Sequence, residues 1–179
     1  FVFGAALLGK GFWYFSERPM EKGVSRIRVF SFYSGLILAF LVLVGPIAHI
    51  AVNKFQFHMI QHISLMMLIS PLIVLGSPIK VAVDSKYLFI RNLVHNLGSN
   101  FLIKQLFRAE VGFVLFLAVL ILTHFSPLAN EGMLNSNVHQ LELFLFIVGG
   151  KFYYYPVLEG NPKPFHVPYF TRILSLFAM

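Results

Sequence analysis

The chain contains no cysteine. That absence excludes a disulfide framework, a thiolate metal site and a cysteine nucleophile. Charge is scarce as well. Only 12% of the 179 residues are Asp, Glu, Lys or Arg, against about 25% in soluble domains. Other signatures are missing: there is no Gly-rich phosphate loop and no GxSxG, and His58-Met-Ile-Gln-His62 lacks the Glu of a zinc-protease HExxH. No repeat, low-complexity tract or second domain interrupts residues 1–179, and no cleavable signal peptide is readable at the start. The chain opens at Phe1 without Met and stops at Met179 inside an apolar run, so a fragment of a longer protein is expected.

What is present is apolar. With 58% hydrophobic and 16% aromatic residues, the composition predicts an all-α polytopic membrane protein, a single transmembrane helix bundle. The net charge of +7 comes from basic residues set between apolar runs. That placement fits a lipid bilayer rather than nucleic acid.

About six spans are visible, the first and last truncated. Phe1–Phe15 ends in the interfacial cluster Trp13-Tyr14-Phe15. Val29–Ala51 is the second, interrupted by Pro46. Phe57–Gly76 is the third: about twenty residues at ~1.5 Å rise cross a roughly 30 Å hydrocarbon core, and Pro71 predicts a kink. Ser77–Arg108 is an amphipathic connector whose Leu88–Leu106 part reads as an interfacial helix. Val111–Phe125 and Val138–Tyr155 are the fourth and fifth spans, and Ile173–Met179 begins a sixth.

Orientation follows from the links. Those after spans one, three and five hold four, five and two basic residues; those after spans two and four hold one and none. The positive-inside rule puts the first set in the cytoplasm of a multi-pass cell-membrane protein. His49, His58, His62, His124 and His139 then fall together at the outer face, whereas His95 and His166 lie in cytoplasmic loops.

Ionisable groups inside spans are expensive and mark function by default. His58 and His62 stand at i, i+4 on one helix face. With His124 and His139 from two further spans they form a candidate metal site, since neutral imidazole suits copper, zinc, iron and nickel. Glu142, one turn beyond His139, is placed to orient an imidazole through its N–H or to ligate directly. His49 is a further candidate ligand. Met59, Met66 and Met133 offer thioether sulfur, which favours Cu(I), although methionine also fills gaps in any apolar bundle.

At these residues the chain resembles the polytopic CtaG family of cytochrome c oxidase assembly factors. The matching pieces are HMIQHISLMMLISPLIVLGSP (His58–Pro78), THFSP (Thr123–Pro127) and HQLELFLFIVGGKFYYYPVL (His139–Leu158). The resemblance implies an all-helical membrane protein of about seven spans in its full chain. It implies a role in assembling the haem–copper oxidase with copper as cargo, the oxidase subunits as partners, and His58, His62, His124 and His139 as the site.

The expected function is therefore assembly, with copper bound or delivered at the outer face by a protein that is not itself an enzyme. Three rivals stand beside it. One is a bis-histidine haem protein of electron transfer. Another is a membrane metalloenzyme with Glu142 as its base. The last is a structural subunit whose histidines are merely interfacial.

Overall fold

Apolar runs form the helices, and Ser, Asn or Pro marks where several of them begin. The computed structural model describes residues 2–51, 53–125, 132, 135–158, 168–170 and 172–173, and all regular structure among them is helical. In chain order these are α1 (Val2–Ser16), α2 (Arg26–Leu43), α3 (Pro46–Ala51), α4 (Phe55–Leu75), α5 (Pro78–Val83), α6 (Leu88–Ser99), α7 (Phe101–Leu106), α8 (Ala109–Phe125) and α9 (Ser136–Val157). Ser25, Asn100 and Asn135 each turn a side-chain oxygen to a backbone N–H of the first turn, of Arg28, Leu102 and Asn137. Such caps satisfy donors that a helix start leaves without partners.

Arg26–Ala51, which is α2 with α3, and α4 are the two helices among the described residues that are long and apolar enough to cross a membrane. Helix α8 is apolar but shorter. Helix α9 has 22 residues, about 33 Å, and carries His139, Glu142 and Lys151 among its apolar residues. The expectation of six spans is thus met clearly by two helices. The start of the sixth span, apart from Ile173, lies outside the described residues.

Two prolines shape the long helices. Pro46 ends the ladder of α2, and Val44 and Gly45 both donate to the Phe40 carbonyl at 2.9 Å. In α4 the response to Pro71 is a π-helical turn over Ser64–Ile69. The Ser70 N–H and its hydroxyl both reach the Leu65 carbonyl, the hydroxyl at 2.8 Å. Widening the helix by one residue just before Pro71 accommodates a ring that would clash with the carbonyl four residues earlier.

The buried stripe of α4 is His58, Gln61, His62, Leu65, Met66, Ile69 and Ile73. It faces α9, whose buried stripe includes Glu142, Leu143, Phe146, Gly149, Gly150 and Tyr153. Close approach depends on small residues. A Cβ on Gly150 would lie 2.6 Å from the Ser70 Oγ, and one on Gly112 of α8 would lie 2.6 Å from the Phe152 carbonyl oxygen. Packing therefore places the starts of α4 and α9 beside the end of α8.

The opposite end of the bundle is basic and hydrogen-bonded. Tyr14 Oη donates to the Gly76 carbonyl at 2.7 Å, and Arg28 donates to the Ser77 hydroxyl at 2.6 Å. The Glu17 carboxylate accepts from Lys22, from the Ser85 hydroxyl at 2.6 Å and from the Lys86 N–H at 3.1 Å. Burial alone would raise the Glu17 carboxyl, yet these hydrogen bonds outweigh it and hold the group below its ordinary value. The expected helix Leu88–Leu106 is split at Asn100, which caps α7. Neither half buries a residue, and Phe89, Leu93 and Leu97 form an exposed apolar stripe at i, i+4 spacing on α6.

Candidate metal site

His58 and His62 lie one turn apart on α4, near its start, and their ring centroids are 4.3 Å apart. Helix α9 enters beside them. The His139 ring stacks on His58 at 4.5 Å and lies 5.5 Å from His62. Glu142, one turn further along α9, places Oε2 3.6 Å from His139 Nδ1. One ligand atom from each of His58, His62, His139 and Glu142 can be chosen so that all lie within 4.8 Å of one another.

Several of these atoms are buried without a hydrogen-bond partner: both ring nitrogens of His62, Nδ1 of His139 and Oε1 of Glu142. A buried polar atom without a partner costs about 1–3 kcal/mol, and here four such atoms belong to three neighbouring residues. Donors around a tetrahedrally held ion at ~2.0–2.2 Å lie about 3.5 Å apart. The four residues thus need to close by roughly 1 Å to hold one ion in common. Three imidazoles and a carboxylate suit copper, zinc or iron.

His124, at the end of α8, stands at the edge of this group. Its ring is 5.9 Å from that of His62. Its Nδ1 lies 3.0 Å from the Leu120 carbonyl, and a carbonyl can only accept, so Nδ1 carries the proton and Nε2 the lone pair. His49 is exposed on α3 and outside the four-residue group. Met59 is half-buried, and Met66 belongs to the apolar core. His95 is exposed on α6. Met133 and His166 lie outside the described residues.

Residues 9–179 match the family described as cytochrome c oxidase caa3 assembly factor. The chain belongs to that family. It is also 30% identical over 136 residues to an uncharacterized protein of Mycobacterium bovis and to one of Mycobacterium tuberculosis. An uncharacterized protein of Mycobacterium leprae is 27% identical over 132 residues. Each match covers 70% of this chain and 20% of the relative, so the chain spans about one fifth of these proteins. No solved structure matches.

In this chain, three residues at the site escape sequence reasoning. Gln61 is buried between the helices, with its Oε1 3.0 Å from His139 Nε2. Phe146 packs 4.5 Å from the His62 ring and closes the site towards the core. Gly132 lies so close to the Glu142 carboxylate that a Cβ there would collide with it. The available signal was periodicity for Phe146, two turns beyond His139, and the HxxQH spacing for Gln61. Gly132 had none, because its contact with Glu142 is tertiary and follows no helical spacing.

Proposed function

We propose that the chain is a multi-pass membrane protein that binds copper through His58, His62, His139 and Glu142 and hands it to a haem–copper cytochrome c oxidase during assembly. His124 lies within reach as a further ligand or as a stop on the route out. The basic end, with Arg28, Lys22, Lys80 and Lys86, faces the cytoplasm by the positive-inside rule, and the histidine end faces outside. In this reading the protein is a carrier and not an enzyme.

The observation that carries the reading is His62, whose two ring nitrogens are buried without partners beside three other donors. Copper bound there would be held by nitrogen and carboxylate ligands, at a helix end from which it can be released. Family membership supports the choice of recipient. The stacked rings of His58 and His139, 4.5 Å apart, leave no room for a porphyrin between them, which counts against bis-histidine haem.

The test is elemental analysis of protein purified without a histidine tag, beside the double variant His58→Ala/His62→Ala. About one copper per chain in the wild type and none in the variant is the expected result. Equal metal content in both, or zinc in place of copper in the wild type after growth with both metals, would overturn the proposal.

A further inference from the structure

We infer that Gln61 is a positioning residue that fixes the tautomer of His139, so that Nδ1 presents its lone pair to the metal site. This inference rests on the metal reading above, but its first step is independent of any metal.

The chain of causes begins at a proline. In α2 the carbonyl of Val42 would ordinarily accept from the N–H of residue 46, and Pro46 has none. The amide of Gln61 takes that place, its Nε2 donating to the Val42 carbonyl at 2.7 Å. A carbonyl cannot donate, so the –NH2 end of the Gln61 amide must face Val42 and the oxygen end must face away. That oxygen lies 3.0 Å from His139 Nε2. An amide oxygen only accepts, so His139 Nε2 carries the proton.

The consequence falls on the other ring nitrogen. In neutral imidazole only one nitrogen is protonated, so His139 Nδ1 holds a lone pair. It is buried without a hydrogen-bond partner and lies 3.6 Å from Glu142 Oε2. When Glu142 is ionised, the two lone-pair-bearing atoms repel in this buried setting, and a cation between them removes the repulsion. Gln61 itself is 2% exposed, so neither contact is made in open solvent. A hydrogen bond to the non-ligating nitrogen also raises the basicity of the ligating one.

The test uses 15N-histidine-labelled protein and long-range 1H–15N correlation spectra of the metal-free form at pH 8, with His139 assigned by its loss in His139→Phe. The wild type should show the Nε2–H tautomer. Gln61→Glu, which still accepts from Nε2–H, should keep it. Gln61→Met should move His139 towards Nδ1–H, with that N–H directed at the Glu142 carboxylate. In copper titrations of the same samples, Gln61→Glu should stay within about threefold of wild type, and Gln61→Met should bind about 10–100-fold more weakly. An Nδ1–H tautomer in the wild type, or an unchanged tautomer and affinity in Gln61→Met, overturns the inference and leaves the metal reading standing. The expected tautomers with no copper bound by any form leave Gln61 in its role towards His139 and sink the metal reading instead. If Gln61→Met fails to accumulate, the wild-type tautomer decides alone.

Discussion

The imidazole of His58 stacks on that of His139, 4.5 Å between centroids, although they are 81 positions apart in the chain. The His58–His62 pair is a product of helix geometry, but this contact exists only because α9 packs along α4. Gly150 permits that approach at its far end, where a side chain would strike Ser70. The site is therefore a tertiary object, and its residues should behave as one.

The first prediction is non-additivity. If His58, His62, His139 and Glu142 surround one ion, each single Ala substitution should lower copper affinity by at least about 100-fold, and a second should add less than about tenfold. Isothermal titration of the single and paired variants measures this. His95→Ala, on an exposed face of α6, should bind as wild type. Independent losses that multiply would mean separate sites.

Much of this site was legible from spacing. Both His58–His62 at i, i+4 and His139–Glu142 at i, i+3 put their groups on one helix face whatever the surroundings. The charge asymmetry separated the two ends of the bundle. It was the orientation of hydrogen bonds that spacing left open. His124 was read as an equal partner, but whether its Nδ1 or Nε2 is offered depends on the Leu120 carbonyl, a local detail of α8. Pro71 was read as a kink, and the chain answers it with a π-turn because a serine hydroxyl and an N–H can share the Leu65 carbonyl. The single helix expected over Leu88–Leu106 breaks at Asn100, whose side chain caps the next helix better than it serves inside one.

Metal binding should depend on pH through the imidazoles. Only neutral imidazole ligates, and its unperturbed pKa is about 6.5. Protons then compete for the same lone pairs, so copper affinity should fall in acid once the imidazoles take up protons, by roughly tenfold per unit for each proton taken up. Competition with a chelator from pH 8 to pH 5 is the measurement.

The basic end has its own pH dependence. The carboxyl of Glu17 is held below its ordinary value by Lys22, Ser85 and the Lys86 N–H. A group whose folded value is depressed stabilises the fold above its unfolded value, about 4.3, and this contribution is lost as pH falls through the lower folded value. Thermal unfolding in detergent should therefore show a Glu17-dependent loss below about pH 4. Glu17→Ala should cost about 1–3 kcal/mol at pH 7, because it leaves buried donors without an acceptor. The pH dependence in that range should shrink with it. A variant as stable as wild type at pH 7 would remove this network from the account of the fold.

Helix packing gives a contrast between two glycines. At Gly112 a Cβ would meet the Phe152 carbonyl oxygen at 2.6 Å, while at Gly9 of α1 it would meet nothing within 4 Å. Gly112→Ala should destabilise by about 1–3 kcal/mol through overpacking of α8 on α9. Gly9→Ala should be neutral or stabilising by up to about 1 kcal/mol, from helix propensity. Unfolding in a graded detergent mixture compares them. Equal effects would mean that α8 and α9 are not held at this separation.

The last prediction concerns sidedness, and the absence of cysteine makes it direct. A reporter must be exposed. Ser99, at the end of α6, and Ser136, at the start of α9, are both exposed and belong to the basic and histidine-bearing ends respectively. The link after α4 carries five basic residues, whereas none lies between 126 and 137. A membrane-impermeant maleimide added to intact cells should label Ser136→Cys and spare Ser99→Cys, and opening the cells should expose Ser99→Cys as well. Immunoblotting for equal abundance separates a sidedness result from a folding one. Labelling of Ser99→Cys alone in intact cells would invert the topology, put the histidines on the cytoplasmic side, and require a copper donor and acceptor there.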